Sequence, residues 1–248
     1  MEEHIEFYKR IMKNNSQLAL NKFGVNFMYP HSGDSITRRD YMTHRLGATV
    51  QCLRFLESTI SHYQTHYQKI GTDTGEKLHA SFDAINQVSY CFDNLIFNLA
   101  SLSDYFGNYL GLFLYGPKNQ TLKWNGFVNK VTADNSDDDF LRIVANENKY
   151  WFTKLHSYRG DIIHRKAILV EINGFNNTLF MPHTVDEFTF TINDSLKKYF
   201  HIFRNSKENE ILYCAKSIWL KTIESLTTIL DASENVIFDE MHKKTYIK

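Results

Sequence analysis

Proline is scarce, with three in 248 residues. Little in the chain therefore breaks a helix, since proline is the residue that both lacks an N–H and clashes with the preceding turn. Net charge is absent, with 28 Lys and Arg against 28 Asp and Glu. Such a chain has no global field to attract nucleic acid, and any contact with it must come from a local patch. The three cysteines, Cys52, Cys91 and Cys214, are odd in number, far apart and set in apolar helical context. That excludes a disulfide framework and reads as small core residues of a reduced, intracellular protein. No apolar run approaches the roughly 18 residues that cross a bilayer, and Met1-Glu2-Glu3-His4 is not a secretory start. The expectation is a cytoplasmic protein without a membrane partner. There are no repeats, no glycine-rich phosphate loop, and no serine or cysteine nucleophile with a plausible partner, so no cofactor is expected.

What is present is apolar and aromatic: 43% hydrophobic residues, 15% of all residues aromatic. A chain of this size and composition buries a proper core, and it reads as one mainly α-helical domain over residues 1–248. Residues 1–15 form a short helix. Phe23, Val25, Phe27 and Tyr29 then alternate as a half-buried strand over about 22–29, stopped by Pro30. His31 to Ser35 is a turn, with Ser35 or Thr37 capping the next helix. Leu46, Val50, Leu53, Leu56, Ile60 and Tyr67 step by threes and fours through that helix, from about 37 to 70, and a longer stripe from Leu78 to Phe113 marks a second helix over 75–115. Asp93, Asn94, Asn98 and Asp104 interrupt that stripe. They read first as solubilising residues and second as a lining for a site. A loop with one short strand or turn near Trp124 to Val131 comes next, then a third helix from Phe140 to about Ser157. Residues 168–193 leave the helical period and read as a small inserted antiparallel sheet with strands at 168–172, 178–181 and 188–192. Asp194 to about Ala232 is helical again, interrupted near Arg204 to Ser206.

The chemistry concentrates in Tyr158-Arg159-Gly160-Asp161-Ile162-Ile163-His164-Arg165. On a helix, Arg159 and His164 lie a little over one turn apart and can converge on one phosphate, with the two isoleucines facing a core. Histidine takes and gives protons near neutral pH, while the planar guanidinium holds phosphate oxygens bidentately. Together they can cut RNA without metal. The imidazole serves the 2′-hydroxyl or the leaving oxygen, and the arginine neutralises the charge that builds on phosphorus. Gly160 marks a joint, so that residues from Asp161 open a new turn whose N–H groups add to phosphate binding. Asp161 either orients His164, or caps the helix or pairs with Arg165.

An arginine, a few intervening residues and a histidine inside an all-helical domain resembles the signature of the HEPN superfamily (higher eukaryote and prokaryote nucleotide-binding). The resemblance implies an antiparallel helical bundle, to which the small sheet is an insertion suited to dimerisation or partner contact. It also implies a metal-independent endoribonuclease of toxin–antitoxin or phage-defence type, working as a homodimer whose two motifs meet. Arg159 and His164 stand at the two motif positions. Gly160 replaces the polar residue that often follows the arginine, and Lys166 the tyrosine that some members carry two residues past the histidine.

Around this motif Lys149, Lys154, Arg159, Arg165 and Lys166 face one acid, Asp161, with Tyr150, Trp151 and Tyr158 interleaved. Cations that track a backbone beside rings that stack bases suit single-stranded RNA. A solvated face with its aromatics in the core is the plainer reading of the same residues. The rival for the whole protein is a non-catalytic helical interaction or regulatory partner in a defence or toxin complex, in which Arg159 and His164 satisfy buried polar needs. Three further patterns are weaker. Arg38 and Arg39 precede His44 at motif-like spacing. His62 and His66 are spaced to grip a metal, but no carboxylate completes the site. Asp137-Asp138-Asp139 suits a helix start better than Mg²⁺, because consecutive residues point apart. No metal is expected.

Overall fold

The computed structural model describes residues 2–23, 31–71, 73–115, 123–133, 139–165, 170–172, 188–203 and 209–238. The chain is mainly helical, in the order α1 (Glu2–Phe23), α2 (His31–Lys69), α3 (Thr74–Tyr115), α4 (Trp124–Ala133), α5 (Asp139–Glu147), a π-helical turn (Asn148–Phe152) and α6 (Thr153–Arg165). Two short strands come next, β1 (Val170–Ile172) and β2 (Phe190–Ile192), then α7 (Asp194–Tyr199), a 3-10 turn (His201–Phe203) and α8 (Ile211–Phe238). The strands pair antiparallel, with Val170 opposite Ile192 and Ile172 opposite Phe190. Among the described residues no helix is long and apolar enough to cross a membrane.

The long helices keep the expected period except at the start of α3, where Leu78 and Phe82, expected on the apolar stripe, are exposed and the smaller Ala80, Ala84 and Val88 turn inward. On α2 the buried positions include Met42, Leu46, Val50, Leu53, Leu56 and Ile60, and on α3 they include Ala84, Val88, Phe92, Leu95, Leu99, Leu102 and Phe106. Asp73 starts α3 by accepting the backbone N–H groups of Gly75 (2.8 Å) and Glu76 (3.1 Å), two of the donors a helix start otherwise leaves unpaired.

Several expectations are corrected. The strand or turn near Trp124 to Val131 is helix α4, whose buried residues Trp124, Phe127, Val128 and Val131 fall at helical intervals. The turn at His31 to Ser35 is already α2, with Ser35 buried inside it. Phe23 closes α1 rather than opening a strand, and the rest of that strand lies outside the described residues. The helix placed over 140–157 continues as helical backbone from Asp139 to Arg165, directly through Gly160. An added Cβ on Gly160 would meet nothing within 4 Å, so no close approach demands glycine there and one glycine does not break the run. Of the expected sheet, the outer two strands are present. The middle strand near 178–181 and the interruption near Arg204 to Ser206 lie outside the described residues.

Contacts group the chain into two compact units, residues 1–48, 98–153 and 220–248 in one and residues 49–97 and 154–219 in the other. In the first unit Trp124 is fully buried, its ring 4.2 Å from that of Phe152. Its indole N–H donates to Asn148 Oδ1 at 2.8 Å and its backbone N–H to Asp104 Oδ1 at 3.0 Å. Gly107 lets α4 approach: a Cβ there would lie 3.1 Å from Phe127 Cβ. Phe7 of α1 packs on Phe106 of α3, and Trp151 donates to Thr222 Oγ1 of α8 at 3.0 Å.

In the second unit Trp219 donates to Thr49 Oγ1 at 2.9 Å. Tyr67 stacks on Phe188 with ring centroids 4.1 Å apart, and Gln64 Nε2 donates to the Phe188 carbonyl at 3.1 Å, so α2 holds the segment that leads into β2. Tyr158 of α6 lies among Phe92, Tyr199 and Phe200.

Candidate active site

Helix α6 carries the arginine–histidine motif, and its register decides what each motif residue does. The π-helical turn before it ends where the Thr153 N–H donates to the Asn148 carbonyl five residues back, an insertion that occurs often at functional sites. From there Leu155 and Tyr158 turn fully inward, at 0% and 1% exposure, while Arg159, Gly160, Asp161 and Ile162 are half-buried. The expectation that both isoleucines face a core is corrected: Ile163 is 51% exposed. Counting from Tyr158, the inward stripe continues to position 162 and misses 163.

Arg159 lies over an aromatic partner supplied by α3, its guanidinium carbon 4.6 Å from the centre of the Phe97 ring. A guanidinium over a ring face is attracted to its π-system, which restrains where the cation sits. One turn earlier on α3, Asp93 accepts a hydrogen bond from the Tyr158 hydroxyl, Oδ1 at 2.9 Å. Asp93 and Phe97 thus present a carboxylate and a ring, four residues apart, to neighbouring residues of α6. Burial pushes the Asp93 carboxyl up to about 6, against an opposing pull from the Tyr158 hydrogen bond. The Tyr158 phenol is raised by burial first, then by the Asp93 charge and the shared hydrogen bond. A carboxyl that burial raises toward neutral pH, one turn before the ring under Arg159, is the chemical peculiarity of this region.

The sign of that shift gives a pH prediction. Because the folded value lies above the ordinary 3.8, Asp93 favours the fold fully when protonated below that value and loses the contribution as pH rises through about 6. Asp93→Asn keeps the acceptor for Tyr158 and never ionises. In urea denaturation from pH 4 to 8 the variant should gain on the wild type with rising pH, by at most about 2–3 kcal/mol. A constant difference across that range would contradict the assignment.

The remaining predicted residues divide between interior and surface. Tyr158, named as a support and a stacking ring, is interior and bound to Asp93. It offers no face to a base, and Trp151 is buried likewise. Tyr150 is 63% exposed with the Lys149 ammonium 5.4 Å from its ring centre. Lys154 is half-buried. His164 and Arg165 belong to the last turn of α6, but their side chains, like all of Lys166, lie outside the described part. The expected new helix start at Asp161 is corrected. The motif sits in the final turns of a continuous helix, whose free backbone groups are carbonyls, so a phosphate there must be held by side chains alone. Asp161 does not cap a helix start.

Three of the four polar residues of α3 are bound inward rather than forming a solubilising face. Asp93 accepts from Tyr158, Asn98 accepts from Arg45 Nη1 at 2.7 Å, and Asp104 accepts the Trp124 N–H; the fourth, Asn94, is exposed. The sequence signal for the Arg159 support is the pair Asp93 and Phe97 at helical spacing, and nothing local ties it to α6.

Other chemistry is thinner. A comparison with protein-family models, curated proteins and solved structures matches none of them. His62 and His66 are exposed and parallel, with centroids 6.3 Å apart, and among the described residues no group of three His, Cys, Asp or Glu side chains could hold a metal. Asp139 opens α5 and pairs with Arg142, while Asp137 and Asp138 lie outside the described residues. No disulfide joins the cysteines, and Cys52 and Cys214 are buried. An open cleft of about 630 Å³ in the first unit is walled by Glu2, Glu6 and Glu224, with Arg10 already paired to Asp231. That charge suits no polyanion.

Proposed function

We propose that the chain is a metal-independent endoribonuclease of the HEPN type. Arg159 binds the scissile phosphate and His164 moves the proton. The 2′-hydroxyl attacks the adjacent phosphorus and the P–O5′ bond breaks, leaving a 2′,3′-cyclic phosphate and a free 5′-hydroxyl. The proton lost by the 2′-oxygen is matched by one gained at the leaving oxygen. Two copies of the chain, each supplying a motif, make up the working site, and the setting is toxin–antitoxin or phage defence, with a second protein restraining the activity.

The observation that carries this reading is Arg159 set over Phe97 beside the Tyr158–Asp93 pair. A cation oriented before substrate arrives costs nothing to reorganise when charge develops on the phosphate. Purified protein incubated with single-stranded RNA in EDTA tests it. Fragments ending in 2′,3′-cyclic phosphate support the reading, and strict metal dependence ends it.

One observation favours the rival, a non-catalytic helical interaction protein: Tyr158 and Trp151, two of the rings beside the motif, are spent on the interior. Under that reading wild-type protein leaves RNA intact in every buffer, and Arg159→Ala changes stability alone.

A further inference from the structure

The second arginine–histidine stretch, Arg38 to His44 on α2, has a surface of its own. Arg38 is 8% exposed and donates to the Asn108 carbonyl at 2.9 Å, which ties α2 to α3. One helical turn on, Tyr41 stands 58% exposed, its ring 6.0 Å from that of Tyr105 on α3 and tilted by 34°. The next turn brings Arg45. Its guanidinium lies 5.6 Å from the centre of the Tyr105 ring, and its Nη1 donates to Asn98 Oδ1 at 2.7 Å. His44 beside it is exposed, and Arg39 is held by Asp40 at 2.8 Å.

These residues combine what a single-stranded nucleic acid needs. Tyr41 offers an open ring, Tyr105 backs it, and Arg45 is fixed at the edge by two partners. In the eight residues from Arg38 to Arg45 there are three arginines and a histidine against one acid, Asp40. Asp104, next to Tyr105 in the chain, already accepts the Trp124 N–H at 3.0 Å. In a chain of zero net charge such a local surplus sets where a polyanion settles. A flat base stacks on an exposed aromatic face whatever its identity, while the cations track the backbone.

We infer that Tyr41, Tyr105 and Arg45 form a stacking platform for single-stranded RNA, built from residues other than those of the Arg159 motif. One base rests on Tyr41, and the adjoining phosphate lies toward Arg45. Recognition is of backbone and ring face rather than of sequence, since no side chain here is arranged to read a base edge. The surface stands on its own residues and does not require the chain to cleave what it binds.

Fluorescence anisotropy of the full chain with a short labelled 2′-O-methyl oligouridine tests this. That probe lacks the 2′-hydroxyl nucleophile, so binding is read whether or not the protein is a ribonuclease. The wild type should bind with an affinity that falls as salt rises. Tyr41→Ala should weaken binding about tenfold, and Tyr41→Trp should restore it, because stacking needs a ring and not a hydroxyl. Tyr90→Ala removes a tyrosine of comparable exposure, 69%, on α3 and should leave binding unchanged. Tyr41 touches solvent on most of its surface, so its loss should not unfold the protein, and matching melting curves check that. The inference is overturned if the wild type fails to bind at low salt, or if Tyr41→Ala binds as the wild type does. It is also overturned if Tyr90→Ala weakens binding as much, or if Tyr41→Ala changes only the sedimentation of the protein, which would make the surface a contact between copies.

Discussion

Arg159→Ala and His164→Ala should each lower the rate of RNA cleavage in EDTA by about 10²- to 10⁴-fold, the range for loss of a positioned proton-transfer group or of a donor aimed at developing charge. The two losses should combine to much less than their product, since residues that act on one transition state fail together. Arg159→Lys separates charge from shape. Lysine keeps the cation but has no planar group to set over Phe97 and no fork for two phosphate oxygens, so an activity between wild type and Arg159→Ala is expected. Arg159→Ala also uncovers the Phe97 ring, so each variant is compared at matched folded fraction by circular dichroism. Product ends are read by resistance to polyadenylation, and by the return of polyadenylation once acid has opened the cyclic phosphate and a phosphatase has removed the resulting monoester. Undiminished cleavage by both variants would trace the activity to a contaminant and sink the proposal.

The largest expected loss of stability is at Trp124. Its side chain is fully buried against Phe127 and Phe152, and its indole N–H is spent on Asn148. Trp124→Ala removes that ring and leaves a cavity between α4 and the π-helical turn, at a cost of about 3–5 kcal/mol. Trp124→Phe keeps most of the apolar volume but strands the Asn148 oxygen, at a cost of about 1–2 kcal/mol. Urea midpoints give both values, and the ordering Ala worse than Phe is the decisive outcome. Equal losses would mean that the hydrogen bond, not the packing, holds α4 in place.

Much of the helical architecture is legible in the sequence because its signal is local. The threes and fours of α2 and α3 recur over many turns, and their period is a property of the helix itself. The failures have local causes too. Trp124 to Val131 reads as a strand or turn because it comes after Gly116 and Pro117 and is short, although Trp124, Phe127, Val128 and Val131 stand at helical spacing. Gly160 weighs less than its type suggests. A single glycine in a helix costs about 1 kcal/mol, which the buried ring of Tyr158 and the packing of Leu155 outweigh. The aromatic residues beside the motif show the limit most clearly. Tyr150, Trp151 and Tyr158 look alike in sequence, yet one is open to solvent and two are sealed inside.

Composition and period alone determined that this chain is mainly helical, where its two longest helices run, that a short antiparallel sheet interrupts the helical order, and that an arginine and a histidine stand five positions apart in its second half. Tertiary structure decided that α6 passes unbroken through Gly160, that Tyr158 is held by Asp93 of α3, and that Arg159 rests on Phe97. The reason is range. Helical spacing is enforced by neighbours three and four residues away, whereas Asp93 and Tyr158 lie 65 residues apart and meet only when two helices pack. No reading along the chain can say which ring lies beneath which cation until that packing exists.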